Sequence, residues 1–281
     1  MYYCDGLDIE RTVRSNQHAL TNYQFRHNGS EVLRLLAPKT DHLTLITTLQ
    51  LYLRREDDYK HTVFLLESTP NLVSLDIEVL MDSPDTIFPS MPLAGGPRSL
   101  RSLRLECLLF ENGGTALFDV VRFEDLEEFQ LFFCKDYGRL LLELTHSHMP
   151  LKLKSFCIDE QDTWEVQFDD NTNIFLRSLK SMERISLALD PDMGQWYNPP
   201  DFSALAVHAS TLKYLRVECQ DLVVMFPTES SITAFERFCE SANLEQLAIS
   251  GVSRHFIREE CTGTLYMPRF LVCISRLRAF F

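Results

Sequence analysis

The feature that most constrains this chain is a short string that returns at a near-constant interval: aliphatic, two residues, apolar, one residue, apolar. Clear copies are LVSLDI from Leu72, LRSLRL from Leu100, LEEFQL from Leu126, LKSFCI from Leu153, MERISL from Met182, LKYLRV from Leu212 and LEQLAI from Leu244. ITTLQL from Ile46 fits well, LTNYQF from Leu20 fits more loosely, and ISRLRA from Ile274 reads as a further copy cut off by the chain end. Successive starts lie 26, 26, 28, 26, 27, 29, 30, 32 and 30 residues apart. One such string means nothing in a chain that is 45% hydrophobic, but a long series at one period marks a stack of like structural units. The competing reading is a set of unrelated buried strands in an ordinary α/β domain, but such domains seldom repeat one motif at fixed spacing.

Strand geometry explains the spacing inside the motif. In LRSLRLE, Leu103 and Leu105 are two residues apart and point to one face, while Ser102, Arg104 and Glu106 point to the other. Each repeat therefore supplies one short parallel strand, and the stretch of about 20 residues before the next motif is the crossover that parallel strands require. Helical spacing is clearest in 61–69, 137–147, 173–181, 202–210 and 232–242. In the last of these Ile232, Phe235, Phe238 and Cys239 share a face, with Ser231 placed to cap the N-terminus. The expected fold is α/β: a solenoid of about ten irregular repeats over 20–281, the last incomplete, because no repeat buries its apolar face alone. Short parallel strands line a concave face; helices and extended segments form the convex one. Residues 1–19 are an N-terminal segment, either a cap or a remnant. The stretch 81–99 holds four of the twelve prolines, which break a helix, and is expected to cross the convex side as extended chain.

On these residues the chain resembles leucine-rich-repeat proteins of the ribonuclease-inhibitor and cysteine-containing subtypes. The cysteine-containing repeat places a Cys shortly after its strand, where Cys107 in LRLEC, Cys134 in EFQLFFC and Cys219 in LRVEC stand. Cys157 in SFCI occupies an outward strand position instead. The irregular repeats are also similar to those of fungal F-box/leucine-rich-repeat proteins. That resemblance implies a horseshoe solenoid that selects substrates for an SCF-type ubiquitin ligase. It implies the ubiquitin-ligase adaptor as a partner only of a longer form with an F-box, since the residues before Leu20 do not match one.

Charge and composition exclude several classes. The formal net charge is −13 with both signs spread along the chain, so there is neither the basic stripe of a nucleic-acid groove nor a polybasic membrane anchor. The longest aliphatic runs, such as 222–226, fall far short of a membrane span. The eight cysteines form no CxxC pair, and MYYCDGLDIER has no secretory pattern, so a cytoplasmic or nuclear setting is expected.

A protein partner is the expected ligand. The outward strand positions form rows that are polar, mixed in sign and punctuated by aromatics, from which Tyr52, Asp76, Arg104, Phe132, Arg184, Tyr214 and Arg216 are the binding candidates. For each of them a plain solvated strand residue is the competing reading. The repeats starting at 153, 182 and 212 are longer, with extra residues after the strand: 159–171 carries six acids and Trp164, and 190–201 carries Trp196 and Tyr197. Trp and Tyr anchor interfaces more than other side chains do, which makes Trp164, Trp196 and Tyr197 candidates on one edge of the solenoid. The competing reading is that Trp164, Val166 and Phe168, which alternate, pack down as a small strand.

No GxGxxG, P-loop, GxSxG, HExxH or zinc-type cysteine pairing occurs, so no catalytic residue, cofactor or metal site is expected. The alternative to a non-enzymatic interaction module is an enzyme with a site assembled from scattered residues such as His146, His148, Asp190 and Asp192.

Overall fold

The computed structural model describes residues 22–25, 43–53, 62, 65–79, 100–110, 114, 117–118, 121–147, 149–160, 170–189, 201–219 and 229–250. The expectations for 1–19, 81–99 and the copy at Ile274 lie outside them. The chain divides into two compact units, Met1–Leu153 and Lys154–Phe281.

Every other copy of the motif forms a strand that begins two residues after the motif start. The first unit holds β1 (Asn22–Phe25), β2 (Thr48–Leu53), β3 (Ser74–Val79), β4 (Ser102–Glu106) and β5 (Glu128–Phe132), parallel and paired in chain order. The second holds β6 (Ser155–Asp159), β7 (Arg184–Leu189), β8 (Tyr214–Cys219) and β9 (Gln246–Ser250), again parallel and sequential. The architecture is α/β, and within each unit every repeat pairs to the next. Its register matches the motif residue for residue: Leu49, Leu75, Leu103 and Phe129 are partners, as are Leu51, Ile77, Leu105 and Leu131. All eight are buried. In the second unit Phe156, Ile185 and Leu215 continue the pattern, while Leu247 of β9 is half-buried.

Helices cover the inward side of the strands. In α1 (Tyr137–His146) Tyr137, Leu140, Leu141 and Leu144 bury one face at helical spacing. The Phe175 ring of α2 (Asp170–Ser178) lies 5.2 Å from that of Phe156, an inward residue of β6. Phe202 of α3 (Phe202–Ala206) packs at 4.9 Å against Phe235 of α4 (Glu229–Ser241). Residues 62 and 65–68 are helical within the expected segment 61–69.

Helix boundaries differ from the expected ones for local reasons. Helix α4 starts at Glu229, so Ser231 lies inside it and is not the cap. Helix α2 starts at Asp170, three residues before the expected Asn173, with its acid in the first turn at the positive end of the helix dipole. Helix α3 stops at Ala206, where the chain tightens into turns and swings His208 inward. There His208 is 0% exposed, and its Nε2 lies 2.8 Å from the Leu176 carbonyl oxygen of the preceding repeat.

Two devices recur at the strand ends. At the entry, one carbonyl accepts from two successive amides of the next repeat: Thr47 O from Val73 and Ser74, Val73 O from Arg101 and Ser102, and Arg101 O from Glu127 and Glu128. Lys154, Glu183 and Lys213 carbonyls do the same in the second unit. Where successive entry positions are charged, opposite signs meet, giving the exposed pairs Arg101–Glu127 at 2.7 Å and Lys213–Glu183 at 3.0 Å. At the exit, Cys107 and Phe133, seven residues after their motif starts, have φ of 61° and 52°. This left-handed step breaks the in–out alternation, and the next residue, Leu108 or Cys134, is buried. Among the described residues no helix is long and apolar enough to cross a membrane.

Candidate functional site

The inward pattern and the helices leave the other side of the strands to polar and aromatic side chains. In the first unit four of the sequence candidates come together there. Asp76 and Arg104 are register partners on β3 and β4, and the next outward row runs Tyr52, Glu78, Glu106, Phe132 across β2–β5. Arg104 is the hub. Its Nη2 donates to Glu106 Oε2 at 2.6 Å, its Nε stands 3.7 Å from Asp76 Oδ1, and its guanidinium carbon lies 4.1 Å from the centre of the Phe132 ring. Gln50 Nε2 donates to the Tyr52 hydroxyl at 2.7 Å.

The electrostatics follow from this crowding. Burial pushes the Asp76 carboxyl up to about 6; the Arg104 charge opposes the rise, and Glu106 and Glu78 add to it as like charges. For Arg104, burial works against the charge, but Asp76 and the hydrogen bond to Glu106 outweigh it and hold the guanidinium above its ordinary value. At 3.7 Å the Arg104–Asp76 pair is an ion pair without a hydrogen bond, and neither Asp76 Oδ1 nor Arg104 Nε has a hydrogen-bond partner.

The second unit carries a related arrangement on its own outward face. Arg184 and Tyr214 are register partners on β7 and β8, with the guanidinium carbon 5.5 Å from the ring centre. Arg216 Nη2 donates to Glu218 Oε2 at 2.5 Å, a bond that raises the Arg216 pKa against the opposing effect of burial, with the Glu218 and Asp159 charges assisting. LRLE in β4 and LRVE in β8 thus form the same within-strand pair, because residues two apart share a face.

Trp164, Trp196 and Tyr197 lie outside the described residues, and so does the expectation that they share one edge. The segment 159–171 is not all loop: Asp159 ends β6, Glu160 is 1% exposed, and Asp170 and Asn171 open α2. Likewise Asp201 is no loop residue but the cap of α3, accepting from the Ser203 amide at 2.8 Å and pairing with Arg177. Glu78, Glu106, Asp159 and Glu218 were not among the sequence candidates. The signal for two of them was the R-x-E spacing itself.

Chemically this surface combines guanidinium groups with carboxylates and aromatic rings. Burial, then Glu106 and Glu78, raises the Cys107 thiol, and burial pushes Cys134 up to about 12, so both stay protonated at neutral pH. Among the described residues no three His, Cys, Asp or Glu side chains are placed to hold a metal ion. Of His146, His148, Asp190 and Asp192 only His146 is described, exposed at the end of α1.

These features define an α/β repeat protein whose parallel strands pair in chain order and present charged and aromatic side chains opposite their helices. No protein-family model matches the chain, and no curated protein sequence matches it.

Proposed function

We propose that this chain is a horseshoe-shaped leucine-rich-repeat solenoid that works without catalysis, by binding another protein on the outward face of its strands. The observation that carries the reading is the alignment of Arg104 with Phe132 and of Arg184 with Tyr214 on adjacent strands, on the side away from the helices. Aromatic and arginine side chains supply most hot spots of protein interfaces. Rigid strands also position them with little entropy left to lose. On this reading the strands line the concave side, and Trp164, Trp196 and Tyr197 remain candidates for the same partner. Substrate selection for an SCF-type ubiquitin ligase is the particular role the F-box resemblance implies, and it rests on that resemblance alone. The cytosol or nucleus suits a chain in which Cys107, Cys134, Cys157 and Cys239 are in no disulfide.

The test is affinity capture on the purified chain, with cross-linking to locate the contact. Tyr214→Ala, Phe132→Ala and Trp196→Ala are each expected to weaken capture with the melting midpoint unchanged. Cross-links confined to the helical side, with capture intact in all three variants, overturn the reading. A ligase adaptor or its clients among captured proteins tests the narrower role.

A further inference from the structure

We propose that the outward face of β2–β5 docks an extended segment of a partner protein through lysine or arginine side chains, held between the Tyr52 and Phe132 rings over the Glu78 and Glu106 carboxylates. This rests on the outward face being the protein-binding surface, and it names the chemistry of what binds there.

Charge complementarity selects the occupant. Among the described residues, the outward positions of these four strands carry Asp76, Glu78, Glu106 and Glu128 against one guanidinium, Arg104. The whole chain is acidic as well, at −13. Glu78 and Glu106 are register partners on β3 and β4, and like charges facing each other across strands repel, so a cation entering the row is favoured between them. The aromatics point to the same ligand. A ring face attracts a cation within about 6 Å, and Phe132 already holds the Arg104 guanidinium at 4.1 Å. This internal pair shows the geometry that a partner's guanidinium or ammonium would adopt beside it.

The dimensions favour extended chain. Tyr52 and Phe132 stand in one row, three strand spacings apart, or roughly 14 Å. About four residues of extended peptide cover that span, with apolar stems over the rings and charged ends over the carboxylates between them. The residues concerned are partly open to solvent: the side chains of Arg104, Asp76 and Glu106 are 37%, 20% and 18% exposed.

The experiment is fluorescence anisotropy of the full chain with short labelled peptide pools. The pools share random flanks and differ in a fixed central pair: lysine/arginine, glutamate or leucine. The cationic pool is expected to bind tightest and to weaken as salt rises. Its affinity should fall about tenfold in Glu78→Gln and in Tyr52→Ala, and stay unchanged in Glu143→Gln, an exposed position of α1 on the helical side. Thermal melting checks that each variant is folded. Equal binding of the three pools, or cationic binding that survives both Glu78→Gln and Tyr52→Ala, overturns the proposal. If the leucine or glutamate pool binds tightest and is lost in Tyr52→Ala, the face remains a protein-binding surface and only the cationic occupant falls. If no pool depends on Tyr52 or Phe132, the face itself falls with it.

Discussion

The guanidinium carbon of Arg104 lies 4.1 Å from the centre of the Phe132 ring on the next strand, while its Nη2 holds Glu106 at 2.6 Å within its own strand. One charge thus ties an aromatic and a carboxylate together and faces Asp76 on the other side. Arg104→Gln removes the cation that keeps Asp76 from rising further. The Asp76 carboxyl, now at about 6, is expected to titrate higher in that variant, and NMR of the side-chain carboxyl checks it.

Asp76 also makes stability depend on pH. Its folded value of about 6 exceeds the ordinary 3.8, so the folded state binds the proton more tightly. The stability it contributes is fully present below 3.8 and is lost as pH rises through about 6. Asp76→Asn keeps the shape and removes the charge. It is expected to raise the melting midpoint at neutral pH, with the gain shrinking toward zero below 3.8, read by thermal melts across that range.

His208 acts with the opposite sign. Burial lowers its pKa below the ordinary 6.5, only partly opposed by the bond to the Leu176 carbonyl. The neutral ring belongs to the folded state, so its contribution is complete above 6.5 and is lost as pH falls below that value. His208→Gln, which keeps a neutral donor, is expected to flatten the decline of the melting midpoint on the acid side. An unchanged slope would remove His208 as its source.

Phe133 sits at φ 52°, a region costly for bulky side chains and open to glycine. Phe133→Gly is expected to hold or raise stability by up to about 1 kcal/mol. Phe133→Val, β-branched, is expected to lower it. Urea denaturation of the pair separates backbone strain from lost side-chain packing.

Leu103 is 0% exposed and stands in register between Leu75 and Phe129. Leu103→Ala should cost about 3 kcal/mol from lost transfer and cavity terms. Leu103→Asp should cost more, since it buries a charge. Hydrogen exchange is expected to accelerate first in β3 and β5, because a repeat is supported by its neighbours. Uniform acceleration would count against this local dependence.

Much of the fold was legible in the chain before any coordinates. Strand positions came from a motif whose inward residues alternate, and a one-residue shift would have turned Leu103 and Leu105 to solvent. Of the candidate surface, Arg104 and Phe132 were legible as outward residues, but not as partners. Glu106 went unnamed as a candidate although it follows Arg104 at the spacing that places both on one face. Helix ends were less legible: α4 begins at Glu229 and α2 at Asp170, which carries an acid in the first turn, and apolar periodicity reports neither start.

The sequence by itself determined which residues lie in strands and which side of each strand is apolar, because period-two alternation inside a repeat leaves one burial solution. Only the tertiary structure decided which outward charges meet, that Asp76 faces Arg104 from 28 positions away without a hydrogen bond, and that His208 turns in to the Leu176 carbonyl from 32 positions away. It also decided that Cys107 and Phe133 take left-handed backbone to bury the residue that follows. These outcomes depend on how repeats of unequal length settle against one another, and pairing across them is a property of packing rather than of local pattern.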